Sequence, residues 1–188
     1  MFIQTELTPN PLTLKFLPGR VVMKEGTAFY KNLSEADNSG LAKNFFAIDG
    51  VDGVFFGSDF ITITRKDSFD WQILKPLLFK AIEDHYDKGE EIISRDENTN
   101  KNDLTEDDSD ESDIVKQIKE LLDTRVRPSV AMDGGDIIYE GYKDGIVYLQ
   151  MQGSCAGCPS STATLKIGIE NMLKHYVPEV KEVRSADV

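Results

Sequence analysis

Apolar and polar positions follow one another along this chain in blocks whose period changes. Leu12, Leu14 and Phe16 alternate with Thr13 and Lys15 and stop at Pro18 and Gly19, which predicts a strand entering a turn. After Ser39 the period lengthens, with Leu41, Ala42, Phe45, Phe46 and Ile48 at helical spacing and Asp49 and Gly50 marking an end. Residues 54–56 and 60–64 are short apolar runs on either side of Gly57, Ser58 and Asp59, the signal of a hairpin. Asp70 then stands as N-cap of a longer helix with Trp71, Leu74, Leu77, Leu78, Ala81 and Ile82 on one face and Pro76 near its first turns. His85 lies just past that face and reads as a partly exposed helix residue rather than a ligand.

The pattern resumes only at Ile114. Ile114, Ile118, Leu121, Leu122 and Val126 spell an amphipathic helix capped near Ser112 and stopped by Pro128. Two strands, 136–140 and 146–151, flank a loop from Gly141 to Gly145 and deliver the chain to Gly153. Cys155, Ala156, Gly157 and Cys158 follow, then Pro159 at a helix N1-like position and a face of Leu165, Ile169, Met172 and Leu173. Pro178 closes that helix, and residues 180–183 read as a final strand.

Between the two patterned blocks, residues 94–113 have Leu104 as their only large apolar residue and no aromatic. They hold 2 basic and 9 acidic residues, against 10 and 14 over 1–93 and 9 and 10 over 114–188. Such a stretch cannot offset its ordering entropy by burial, so it is expected to be a disordered, self-repelling acidic linker. The predicted class is α+β, with two small mixed α/β domains, 1–93 and 114–188, joined by that linker.

Composition narrows the chemistry. With 40% apolar and 29% charged residues over 188 positions there is material for a core, and no apolar run approaches the ~20 residues of a membrane helix. No membrane association is expected. A net charge of −12 argues against a nucleic-acid partner, because phosphate contacts rest on clustered Lys and Arg. Neither a secretory nor an import leader follows Met1, which predicts a cytoplasmic protein, or a mitochondrial matrix protein only if a leader has been removed. No P-loop, GxGxxG, GxSxG or paired-histidine motif is present, so no enzyme is read here.

The two cysteines carry the remaining signal. A strand–turn–helix setting puts Cys155 and Cys158 beside orphan N–H groups at the positive end of a helix, which is expected to lower thiol pKa and favour thiolate, the form that ligates metal or attacks disulfides. A thioredoxin-like oxidoreductase shares this layout, but 75 residues are few for that fold and Ser154 stands where an aromatic often precedes the motif. Zinc within one chain lacks ligands, since His85 and His175 are the only histidines and match no finger spacing. An iron–sulfur cluster takes about four thiolates, which two copies of the chain would supply, so the donor count suggests a dimer with metal at its seam. Asp133, Gly134, Gly135 and Asp136 read as a sharp helix-to-strand turn, because two carboxylates fall short of the six or more oxygens calcium takes.

Gly153 through Ser161, with both cysteines, resembles the signature of the NifU-like C-terminal domain of Nfu iron–sulfur carriers, as do Arg127, Pro128 and Asp133 to Asp136. Thr8 to Pro11, Phe16 to Gly19, Gly50, Val51, Val54 to Gly57 and Asp59 to Thr62 resemble the Nfu N-terminal domain. The resemblance implies a non-catalytic scaffold that binds a [4Fe–4S] cluster, or a [2Fe–2S] one, between two subunits through Cys155 and Cys158. Its partners would be a second copy of the chain, upstream cluster donors and recipient apo-proteins.

Overall fold

The computed structural model describes residues 2–94, 112–157 and 159–186. The expected linker therefore lies, for all but its ends, outside the described residues. The chain divides into two compact units, Met1–Asn98 and Thr99–Val188, each with its own sheet, helices and core. The α+β class holds for both. Among the described residues no helix is long and apolar enough to cross a membrane.

In the first unit five strands, β1 (Gln4–Leu7), β2 (Thr13–Leu17), β3 (Ala28–Tyr30), β4 (Val51–Phe56) and β5 (Ile61–Arg65), form an antiparallel sheet in the order β1-β2-β5-β4-β3. The alternation of β2 sends Leu14 and Phe16 to one face, where they join Ile61, Ile63, Val54 and Phe56 in a core closed by helices α1 (Gly40–Phe46) and α2 (Trp71–Lys88). Lys15 points to the other face and is buried there, its Nζ 3.3 Å from a Glu6 carboxylate oxygen and 4.7 Å from the Phe60 ring centroid. The hairpin expected around Gly57 is the β4–β5 connection, and Asp70 caps α2 by accepting the Gln72 N–H. Helix α1 ends at Phe46, short of Asp49, and β1 and β3 carry too few alternating apolar residues to have been visible.

His85 corrects the sequence reading. It is 1% exposed and extends the buried stripe of Leu74, Leu78 and Ile82 by one further turn. Neither imidazole nitrogen has a hydrogen-bond partner among the described residues, and Glu90 approaches Nδ1 at 3.7 Å. Desolvation lowers its pKa below the ordinary histidine value, Glu90 opposes that and Lys88 adds to it.

The second unit opens on α3 (Asp113–Leu121), passes through a π-helical turn (Leu122–Val126) and continues as α4 (Arg127–Met132). Pro128 thus does not stop the helix, contrary to expectation. The π turn inserts an extra residue and restarts the hydrogen-bond ladder, so Pro128 falls in the first turn of α4, where its missing N–H costs nothing. Strands β6 (Gly135–Lys143) and β7 (Ile146–Gly153) pair antiparallel, and β6 runs through Gly141 with a bulge rather than ending before it. Asp144 and Gly145, both at positive φ, make the tight two-residue turn. Helix α5 (Pro159–Tyr176) then returns the chain so that β8 (Glu182–Ser185) lies parallel to β7. Val147, Leu149 and Met151 face Ile118, Leu122, Val126, Val130, Ile169 and Leu173 in the core.

Candidate functional site

The end of β7 and the start of α5 bracket the cysteine turn. Gly153 adopts φ 64° and Gly157 φ 73°, and the Ala156 N–H donates to the Gly153 carbonyl at 3.1 Å, which folds the chain back on itself between strand and helix. Cys155 sits inside this turn and is 6% exposed, with its thiol part of the second unit's core. Cys158, its expected co-ligand, lies outside the described residues.

The helix-to-strand connection expected at Asp133 to Asp136 lies directly against Cys155. Gly134, at φ 83°, makes the sharp bend, and its carbonyl accepts the Ser154 N–H at 3.2 Å. The Ser154 hydroxyl donates to the Asp133 carbonyl and lies 4.0 Å from the Cys155 sulfur. Gly135 pairs with Gly153 across the sheet. A Cβ on Gly135 would lie 2.7 Å from the Cys155 sulfur and 2.6 Å from the Gln152 carbonyl oxygen, so only glycine leaves the thiol its place.

Asp136 is buried and is not a turn residue alone. Its carboxylate accepts two parallel hydrogen bonds from Arg127, Nε to Oδ1 at 2.9 Å and Nη2 to Oδ2 at 2.8 Å, and a third from the Ile137 N–H at 2.8 Å. Arg127 also reaches Asp123 at 3.1 Å from Nη1, and the two carboxylates hold its pKa above the ordinary arginine value, with the Asp136 hydrogen bond the largest cause. Sequence reasoning noted Arg127 and Asp136 only within separate motifs. Their nine-residue separation has no helical or strand period, so nothing local announced the pair.

The expected low thiol pKa is overturned at Cys155. Burial pushes the thiol up to about 11, the charges of Asp133 and Asp136 add to that, and only Ser154 opposes. A helix N-terminus lowers a thiol pKa only if the field is not outweighed by desolvation, and here the sulfur is packed in apolar surroundings. Among the described residues no three His, Cys, Asp or Glu side chains converge on a metal-sized site.

A family model described as NifU-like domain matches residues 118–184, and one described as scaffold protein Nfu/NifU N terminal matches residues 3–89. NifU-like protein 4, mitochondrial, of Arabidopsis thaliana is 53% identical over 185 residues, covering 97% of this chain and 65% of that protein. The NFU1 iron-sulfur cluster scaffold homolog, mitochondrial, of Homo sapiens is 48% identical over 184 residues, covering 97% of this chain and 71% of its own length. The chain thus spans 65% to 71% of these curated relatives. A solution NMR structure of a NifU-like protein from Saccharomyces cerevisiae matches 50% of this chain and 86% of its own, with 29% identity and a TM-score of 0.47.

Proposed function

Since the chain belongs to the Nfu family, we propose that it is an iron–sulfur cluster scaffold whose second unit holds a cluster as cargo, shared between two copies through Cys155 and Cys158. The observation that carries this reading is the turn that presents Cys155 between β7 and α5, in a chain whose only other cysteine is three positions on. A cubane takes about four thiolates, so a [4Fe–4S] cluster needs two such turns and hence a dimer. A site completed only by association is open to exchange, because thiolates of a recipient apo-protein can replace one chain's ligands. That chemistry suits donation to apo-proteins rather than turnover, and no catalytic role is assigned.

The residues present suit the cargo. Thiolate sulfur is the soft donor that iron–sulfur clusters take, and binding a metal draws the proton from a coordinating thiol, which offsets the desolvation that keeps Cys155 protonated without it. The same raised pKa speaks against the thioredoxin-like alternative, whose attacking thiol needs thiolate near neutral pH. The relatives' names carry the word mitochondrial, which supports a mitochondrial place of work. The cytoplasmic expectation finds no support among them.

Anaerobic reconstitution with iron and sulfide tests the reading. The expected result is brown charge-transfer absorption, about four irons per dimer and a shift from monomer to dimer on gel filtration. Cys155→Ser and Cys158→Ser should each abolish stable cluster, since each removes a soft donor from both halves at once. A filled monomer, or full iron retention in either variant, overturns the shared site.

A further inference from the structure

Asp136 is a carboxylate buried beside a cysteine and answered by one arginine, and the geometry around it is a relay of short links. The π turn ahead of α4 brings Arg127 to the first position of that helix, from which it grips Asp136 with two hydrogen bonds. Asp136 follows Gly135, whose missing Cβ is the space that the Cys155 sulfur occupies. Ser154 closes the relay from the other side with hydrogen bonds to the Gly134 and Asp133 carbonyls. Helix α4, the glycine turn and the cysteine turn are thus joined by polar contacts at fixed distances.

We infer that Arg127 and Asp136 are positioning residues for Cys155: the bidentate pair pins the start of β6 and so holds Gly135 as the slot that sets where the sulfur stands. This rests on the scaffold reading for its purpose, because a cluster shared by two chains needs both sulfurs of each chain at set places. It does not rest on that reading for its test. A pair that merely stabilises the fold would tie thiol release to global unfolding, whereas a positioning pair ties it to local opening of one turn. Asp123 gives the internal contrast, since it meets the same guanidinium from the exposed side through Nη1, whereas Nε and Nη2 hold Asp136.

The experiment uses the metal-free full chain in a Cys158→Ser background, so that Cys155 is the only thiol, and follows its alkylation by iodoacetamide. Arg127→Gln with Asp136→Asn removes both charges together and leaves no buried carboxylate unpaired, which favours folding, checked by circular dichroism. Alkylation should quicken by about ten-fold or more over the background, by less in Arg127→Lys, and not at all in Asp123→Asn. Ile118→Val, a buried change in α3 that removes no polar contact of the relay, sets the rate that lowered stability alone produces. In the chain with both cysteines, loss of reconstituted cluster to a chelator should rise about ten-fold in the double variant.

An alkylation rate in the double variant no higher than in Ile118→Val overturns the inference, as does Arg127→Lys behaving like the double variant. Faster alkylation in the double variant, with no iron taken up by the chain that keeps both cysteines, would instead uphold the positioning and sink the scaffold reading.

Discussion

Cys155 and His85 are both buried titratable side chains, and in each desolvation holds the neutral form. For His85 the consequence is a pH dependence of folding. Its folded pKa is depressed, so its contribution is full above the unfolded value of about 6.5 and is lost as pH falls, because the unfolded chain then binds the proton first. The urea midpoint of the first unit should therefore drop between about pH 7 and pH 5.5, and His85→Leu should flatten that slope. A wild-type midpoint constant over this range contradicts the assignment. Cys155 runs the other way on the scale. Its pKa of about 11 predicts slow alkylation at neutral pH, at a rate well under that of the same thiol in urea.

Two helices show how one residue decides where an element begins. Ser39 caps α1 by accepting the Ala42 N–H at 3.2 Å, and its hydroxyl donates to the Ile92 carbonyl at 2.6 Å, tying the chain after α2 to the start of α1. Ser39→Ala removes a cap and leaves a buried carbonyl unmet, which should cost about 1–3 kcal/mol in chemical denaturation of the first unit. A loss under about 0.5 kcal/mol would show that the serine serves neither end. Pro128 is the opposite case. Because it sits in the first turn of α4, Pro128→Ala restores a donor that the helix does not need and should move stability by less than about 1 kcal/mol. Loss of far-UV helicity in that variant would mean that the proline fixes the π turn. At the β6–β7 connection Gly145→Ala should cost about 1–2 kcal/mol, since the residue sits at φ 86° and a Cβ would lie 2.9 Å from Lys181 Cδ.

For the molecule as a whole, each unit has its own sheet and its own buried cluster, and both cysteines belong to the second. We propose that chemistry and recognition divide in the same way. A fragment of residues 112–188 should fold, take up cluster as a dimer and donate it to generic acceptors, while residues 1–94 should fold alone as a colourless monomer. Comparing cluster transfer from the full chain and from the fragment to one apo-enzyme at low concentration measures what the first unit adds. Equal rates for every acceptor would leave it no recruiting role, and failure of the fragment to bind cluster would overturn the division.

Periodicity alone located α1, α2, α5, the β4–β5 hairpin and the strands on either side of the Asp144 and Gly145 turn, because each buries one face of a regular repeat. The spacing of Cys155 and Cys158 between a strand and a proline-started helix was equally plain, since that signal is local. It could not show that α3 and α4 run on through Pro128, because a π turn leaves no mark in a hydrophobic pattern. Nor could it bury His85, whose exposure depends on what covers the helix at that turn. The Arg127–Asp136 pair, the Gly135 slot and the raised pKa of Cys155 were likewise set by which segments meet in space. Desolvation and close packing are properties of the assembled surroundings, so the sequence by itself determined the local elements and the cysteine spacing between them, and only the tertiary structure decided the charge states there and what holds the residues in place.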